Sequence, residues 1–206
     1  ERLKPIVAIL YDFDKTLCTQ DMQNYGFIPS LGLAPADFWR LANSFGWREK
    51  MDGILAYMYT MIQESRKRGV PFTRQTLKHQ GRSIAFFPGV TDWFARINRF
   101  GERQGVTVEH YVISSGLREI IEGSAIAGEF KEIYASEFYY DVSGAPVWPK
   151  LAVNFTAKTQ FVYRINKGVL DVSDDQTLNA SMPDDSKRVP FTNMIYVGDG
   201  LSAVPC

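Results

Sequence analysis

The chain has no apolar run approaching the ~20 residues a membrane-crossing helix needs, which excludes a helical span in the sequence as it stands. Its amino end carries no basic segment followed by an apolar stretch, so nothing in it reads as a secretory signal, and a soluble, cytoplasmic setting is expected. Only two cysteines are present, Cys18 and Cys206, too few for a disulfide framework and without metal-ligand spacing. The two histidines, His79 and His110, show no pairing that suggests a metal or a catalytic dyad. Charge of one sign is also missing. The 23 basic and 23 acidic side chains cancel, which removes the long-range field expected of a protein held to nucleic acid or to an anionic membrane. What remains is ordinary for a soluble protein: 206 residues, 45% hydrophobic and 14% aromatic, enough for one core domain with an insertion. The sequence starts at Glu1 without a Met and reads as a piece of a longer protein.

One stretch organises the rest. Ile6 to Tyr11 is a continuous apolar run, the pattern of a strand buried on both faces in a parallel sheet. It ends abruptly in Asp12-Phe13-Asp14-Lys15-Thr16, two carboxylates one residue apart and then a hydroxyl. Open α/β sheets hold their ligands at the carboxyl ends of their strands. Two acids so close repel each other unless one is neutral or a cation lies between them. A hard divalent cation such as Mg2+, content with one or two carboxylates plus water and phosphate oxygens, resolves that conflict. The bland alternative is a solvated strand end with two acids close by chance.

Asp12-Phe13-Asp14-Lys15-Thr16 resembles the D-x-D-x-T signature of the haloacid dehalogenase-like hydrolases, in particular their phosphoserine-phosphatase-like branch. Three further segments follow in the order of that family: Tyr111-Val-Ile-Ser114-Ser115-Gly116, then Lys158 within Thr156-Ala-Lys-Thr-Gln, then Met194-Ile-Tyr-Val-Gly198-Asp199-Gly200. The resemblance implies an α/β fold, with a Rossmann-like parallel sheet covered by helices and an inserted α-helical cap. The expected division is 1–17 and 88–206 for the core and 18–87 for the cap.

The resemblance also assigns roles. Asp12 is expected to be the nucleophile and Asp14 the acid and base. Ser114 and Lys158 are expected to hold the phosphoryl oxygens, with Ser115 and Gly116 beside them. Mg2+ is expected on Asp12, the main-chain carbonyl of Asp14, and Asp199. Asp21 stands where phosphoserine phosphatases carry an acid that meets the substrate amine, although Asp replaces the longer Glu. The implied partner is a small phosphorylated metabolite, hydrolysed through an aspartyl-phosphate. Two alternatives accompany this reading. One is a haloacid dehalogenase, which needs neither Mg2+ nor the acid at Asp14. The other is a catalytically weakened phospho-ligand binder, because the G-D-G-x-x-D pattern would put an acid at Ala203 and the chain stops at Cys206.

Local signals fill in the remainder. Pro35 opens a helix with Phe38 and Trp39, and Gly46 is expected to stop it. Met51, Ile54, Leu55, Met58, Met61 and Ile62 form one apolar stripe that packs the cap together, ended by Gly69, and Thr73 caps a third helix. Arg48 and Lys50 are polar residues near the cap that could meet substrate. Val90, Trp93, Phe94, Ile97 and Phe100 make an amphipathic helix covering the sheet, leading to a strand from Val108 to Ile113 that Ser114 ends. At the following turn a hydroxyl and free main-chain N–H groups are expected to hold a phosphate oxygen. Ile133–Tyr140 and the run through Val147 and Trp148 are expected to form a hairpin around Asp141–Gly144. Lys158 begins a helix ending at Gly168, whereas Lys150 follows Pro149 and opens none. Val169 to Arg188 is expected to be a polar surface loop or insertion.

Overall fold

The structure, a computed structural model, describes residues 4–200; Ala203 and Cys206 lie outside the described residues. Strand β1 (Ile6–Tyr11) is followed by helices α1 (Phe27–Ser30), α2 (Pro35–Glu49), α3 (Gly53–Arg68), α4 (Arg74–Gln80) and α5 (Val90–Arg103). Then come β2 (Thr107–Leu117), α6 (Arg118–Glu122), β3 (Glu132–Tyr140), β4 (Pro146–Leu151), α7 (Lys158–Lys167), α8 (Asp175–Asn179) and β5 (Met194–Val197). Five strands form a sheet in the order β4-β3-β2-β1-β5. All neighbours run parallel except β3 and β4, which form the antiparallel hairpin. This is the α/β architecture that the resemblance implies, with an antiparallel strand at one edge. Among the described residues no helix is long and apolar enough to cross a membrane.

Strand β1 explains why the sheet is covered on both sides. Ile9 and Tyr11 point into one core with Phe94, Val112, Leu117 and Ile120, while Ala8 and Leu10 point into another with Tyr111, Ile113, Phe161 and Ile165. Side chains alternate along a strand, so an apolar residue at every position requires apolar cover on both faces. The first core continues without a break into the helical segment, through Phe27, Phe38, Met58, Met61 and Leu77. That segment leaves and rejoins the sheet through paired main chains: Thr19 N donates to Ala85 O, and Phe87 N to Leu17 O.

Within it the caps mostly follow the sequence. Pro35 occupies the first turn of α2, Asp52 caps α3 through Ile54 N and Leu55 N, and Gly69 closes α3 in the left-handed region. Thr73 and Thr76 form a reciprocal capping box on α4. Gly46 does not stop α2. The helix runs three residues further and ends at Lys50, which adopts φ 52°, while Gly46 is buried where a Cβ would sit 3.1 Å from Ala56 Cβ. Its lack of a side chain serves the packing of α2 on α3. Gly81 and Gly123 play the same part between the end of α4 and the end of α6: a Cβ on Gly81 would strike Ile120 O, and one on Gly123 would strike Lys78 O.

Two further expectations are corrected. Strand β2 does not end at Ser114 but continues to Leu117, with a shift of register against β3 between Ser114 and Leu117; the irregular stretch is still sheet, bent by the extra residues. The segment 169–188 is more than a loop. The fully buried Arg164 guanidinium donates to Asp171 O, Val172 O and the Asp175 carboxylate, and Lys167 Nζ donates to Leu178 O and Ala180 O. A buried guanidinium seeks partners for its donors, and here Nη1 and Nη2 gather the polar segment while Nε has none among the described residues.

Candidate active site

The parallel registers place Tyr11 opposite Val112 on one side and Val197 on the other, so Asp12 emerges between the ends of β2 and β5. Its own N–H donates to Val197 O. After Asp14 the chain reverses tightly, with Thr16 N, Leu17 N and Cys18 N all directed at Phe13 O. The turn requires Lys15 to adopt φ 59°, an uncommon conformation for a residue with a Cβ and one that clusters at functional sites. Cys18 is a buried residue packed into this turn, its Sγ donating to Gln20 O at 3.1 Å.

Asp12 Oδ2 accepts from Lys158 Nζ at 2.7 Å, and Lys158 is 1% exposed at the first position of α7. Helix α7 therefore delivers its first side chain to the end of β1, as the resemblance expects. Lys150 instead pairs with Glu137 at 3.0 Å on the hairpin. Ser114 is buried, and its Oγ accepts from Gly116 N at 3.0 Å. Leu117 N faces Met22 Sδ at 3.1 Å. Two of the turn's amides are thus engaged rather than free: the local hydroxyl folds back on one, and a thioether from the helical segment covers the other. Ser115 O accepts from Tyr57 OH of α3 at 2.7 Å. Two buried hydroxyls here, Thr16 Oγ1 and Ser115 Oγ, have no hydrogen-bond partner among the described residues, the kind of unsatisfied group that calls for an explanation such as a ligand oxygen.

Asp14 is held by Met22, whose N–H donates to Asp14 Oδ1 at 2.9 Å. Burial pushes the Asp14 carboxyl up to about 8, and the nearby charges of Asp21 and Asp12 push the same way against the Met22 hydrogen bond. The shift favours the protonated form of this group near neutral pH. Asp21 does not stand free. Lys15 Nζ donates to Asp21 Oδ1 at 2.8 Å, and that hydrogen bond raises the Lys15 ammonium above the ordinary lysine range, with Asp14 and Asp199 contributing. Asp199 is exposed just past β5, within electrostatic range of Lys15. Arg48 and Lys50 are exposed at the end of α2, and Arg48 pairs with Glu49 at 2.7 Å; no contact links either of them to these acids.

Among the described residues no three His, Cys, Asp or Glu side chains stand close enough together to hold a metal by themselves. The expected set asks for less, two carboxylates and the main-chain carbonyl of Asp14. All three are hard oxygen donors, and even with Asp14 protonated the carboxylates of Asp12, Asp21 and Asp199 outnumber Lys15 and Lys158, so the donor types present suit a hard divalent cation.

Several contacts at the site had no usable sequence signal. Met22 and Tyr57 look like members of apolar runs. Asn154, which accepts from Ala157 N before α7 and donates to Asp52 Oδ2 at 3.2 Å, joins the Lys158 loop to the start of α3. Only Lys15 could have been found, since it lies inside the motif between two acids.

Residues 9–206 match the family model of haloacid dehalogenase-like hydrolases. An uncharacterized protein of Borreliella burgdorferi is 27% identical over 226 aligned positions, covering 97% of this chain and 76% of its own length. A substrate-bound phosphoserine phosphatase structure superposes with a TM-score of 0.62 at 12% identity, over 99% of this chain and 81% of that one. A HAD family hydrolase from Salmonella enterica serovar Typhi gives 0.60 at 15% identity, over 100% of this chain and 60% of its own. The chain thus spans less than two thirds of the Salmonella protein. At these identities the structural likeness is one of fold.

Proposed function

Because this chain belongs to the haloacid dehalogenase-like hydrolases, we propose that it is a phosphatase hydrolysing a small phosphomonoester through an aspartyl-phosphate on Asp12. The observation that carries this reading is the pairing of Asp12 with buried Lys158, beside a second carboxyl, Asp14, whose pKa is raised. A nucleophile and a proton donor need opposite protonation states, and environments that separate two neighbouring acids supply them.

In the first step an Asp12 carboxylate oxygen bonds to phosphorus as the bond to the leaving oxygen breaks, and Asp14 gives that oxygen its proton. In the second, Asp14, now a carboxylate, takes a proton from water as the water oxygen bonds to phosphorus. Asp12 is released with inorganic phosphate. Splitting one difficult displacement into two is the gain from a covalent intermediate. Lys158, Ser114 and the unpartnered Ser115 hydroxyl hold phosphoryl oxygens, the positioning on which phosphoryl transfer depends. Mg2+, held by Asp12, the Asp14 carbonyl and Asp199, would supply charge neutralisation between carboxylate and phosphate. Residues 18–87 act as a cap over the flanking core, and the Tyr57 and Asp52 contacts hold it closed.

The reading predicts Mg2+-dependent release of phosphate from p-nitrophenyl phosphate. Asp12→Asn should abolish it, and an Asp12→Asn protein with full activity would exclude the proposed nucleophile. A dehalogenase has no use for an acid at Asp14, and a carboxyl there whose environment raises its pKa argues against one.

A further inference from the structure

The mechanism leaves the Lys15–Asp21 pair unused. We propose that Lys15 is a specificity-determining residue that selects phosphomonoesters whose leaving group carries a carboxylate and disfavours those carrying an ammonium. The inference rests on the phosphatase reading for the side of the site on which the leaving group lies. Asp14 protonates the leaving oxygen, so whatever that oxygen bears extends past Asp14. There the chain places Lys15 directly after Asp14 in a left-handed turn, and Asp21 directly before Met22, whose N–H holds Asp14. On this mechanism, a substituent that extends past Asp14 on this side comes up against the pair.

The two partners are not equally available to it. The Lys15 side chain is 52% exposed and that of Asp21 30%. Lys15 ends in three rotatable donors on a flexible stem and can keep Asp21 on one while turning another to an incoming anion. The short Asp21 side chain already accepts from Lys15 at 2.8 Å, so a substrate ammonium competes with Lys15 for the carboxylate. An acid at position 21 alone would favour amino-bearing substrates. The same acid neutralised from position 15 presents a cation instead.

The test uses two ligands of similar size, 2-phosphoglycolate and O-phosphoethanolamine, with p-nitrophenyl phosphate as a reference whose leaving group has neither charge. For the unaltered protein with Mg2+, kcat/KM for phosphoglycolate should exceed that for phosphoethanolamine about tenfold, the scale of one partly desolvated charge pair. Lys15→Gln should bring the ratio to roughly unity or below it, because Asp21 is then uncovered. Asp21→Asn should widen it by releasing Lys15. The readout is a ratio, so a general loss of activity in either variant cancels. A ratio unchanged by Lys15→Gln, or an unaltered protein preferring phosphoethanolamine, overturns the assignment. Failure to hydrolyse any of the three overturns the phosphatase reading instead. The two charged ligands are then compared by calorimetry on the same protein, where equal affinities defeat the role of Lys15 and a preference for phosphoglycolate sustains it.

Discussion

The ammonium of Lys158 lies 2.7 Å from Asp12 Oδ2, a contact between residues 146 positions apart that ties the first turn of α7 to the end of β1. Both side chains are nearly removed from water, at 2% and 12% exposure. Deleting one partner of such a pair leaves the other charge buried and costs about 3–5 kcal/mol. Lys158→Met should therefore lower both the melting temperature and phosphate release, the latter by about 10²–10³ as for loss of one oriented donor to a transition-state oxyanion. Adding Asp12→Asn should recover stability but no activity. Steady-state kinetics and thermal unfolding of the single and double variants check this; a Lys158→Met protein with unaltered turnover removes the lysine from the mechanism.

Gly116 leaves room for the Met22 side chain and for Asp14. A Cβ there would overlap Met22 Cε, lie 2.8 Å from Met22 Sδ and 3.1 Å from Asp14 Oδ2. Gly116→Ala should cost about 1–3 kcal/mol by overpacking. It should also reduce kcat by displacing Asp14. Because the far end of Met22 is the obstacle, Met22→Ala in the same protein should restore part of both losses. Chemical denaturation alongside kinetics reads the pair, and additive losses would show that the two residues do not share this space.

The helical segment meets α6 backbone to backbone at Gly123, where a Cβ would collide with Lys78 O. Main chain on both sides cannot yield as a side chain does. Gly123→Ala should be among the most damaging single methyl additions in the protein, beyond the ~1–3 kcal/mol typical of core overpacking. Gly128→Ala, where a Cβ meets nothing within 4 Å, is the matched control. Equal unfolding midpoints for the two variants would contradict this packing.

His110 sits behind the site, its Nδ1 3.0 Å from Tyr11 Oη and its Nε2 2.9 Å from Asn98 Oδ1, while Trp93 Nε1 donates to the same tyrosine. Burial lowers the imidazole from 6.5 to about 4. The folded state then binds fewer protons than the unfolded chain between those values. The stability of the neutral form is complete above pH 6.5 and is lost as pH falls toward 4, on the order of 3 kcal/mol. His110→Gln should flatten that part of the profile. Unfolding free energies of both proteins from pH 4 to 7 give the difference directly, and parallel profiles would show that the histidine does not titrate in this window.

How much of this was legible in the sequence follows from the range of each interaction. The strand before Asp12, the helix capped by Thr73 and the helix opened by Lys158 are local patterns, and the structure keeps them. Gly46 misled because a glycine near a helix end commonly marks a stop, whereas here Ala56, from a different helix, claims the space. Ser114 was expected to close its strand because a Ser-Ser-Gly sequence reads as a turn, yet pairing with β3 carries the strand to Leu117. Arg164 gave no sign that it would gather residues 171–175, since a charged residue within a helix ordinarily faces water. The covering of Leu117 N by Met22 and of Ser115 O by Tyr57 depends on how the helical segment folds back over the sheet, which no spacing within one element encodes.

The most direct test of the central claim is to quench the protein in acid during turnover of p-nitrophenyl phosphate with Mg2+ and to map its peptides by mass spectrometry. The account predicts one added phosphoryl group on the peptide containing Asp12, lost on brief treatment with base and absent from Asp12→Asn. Turnover with no phosphoryl group on that peptide, or with one on any other residue, would contradict it.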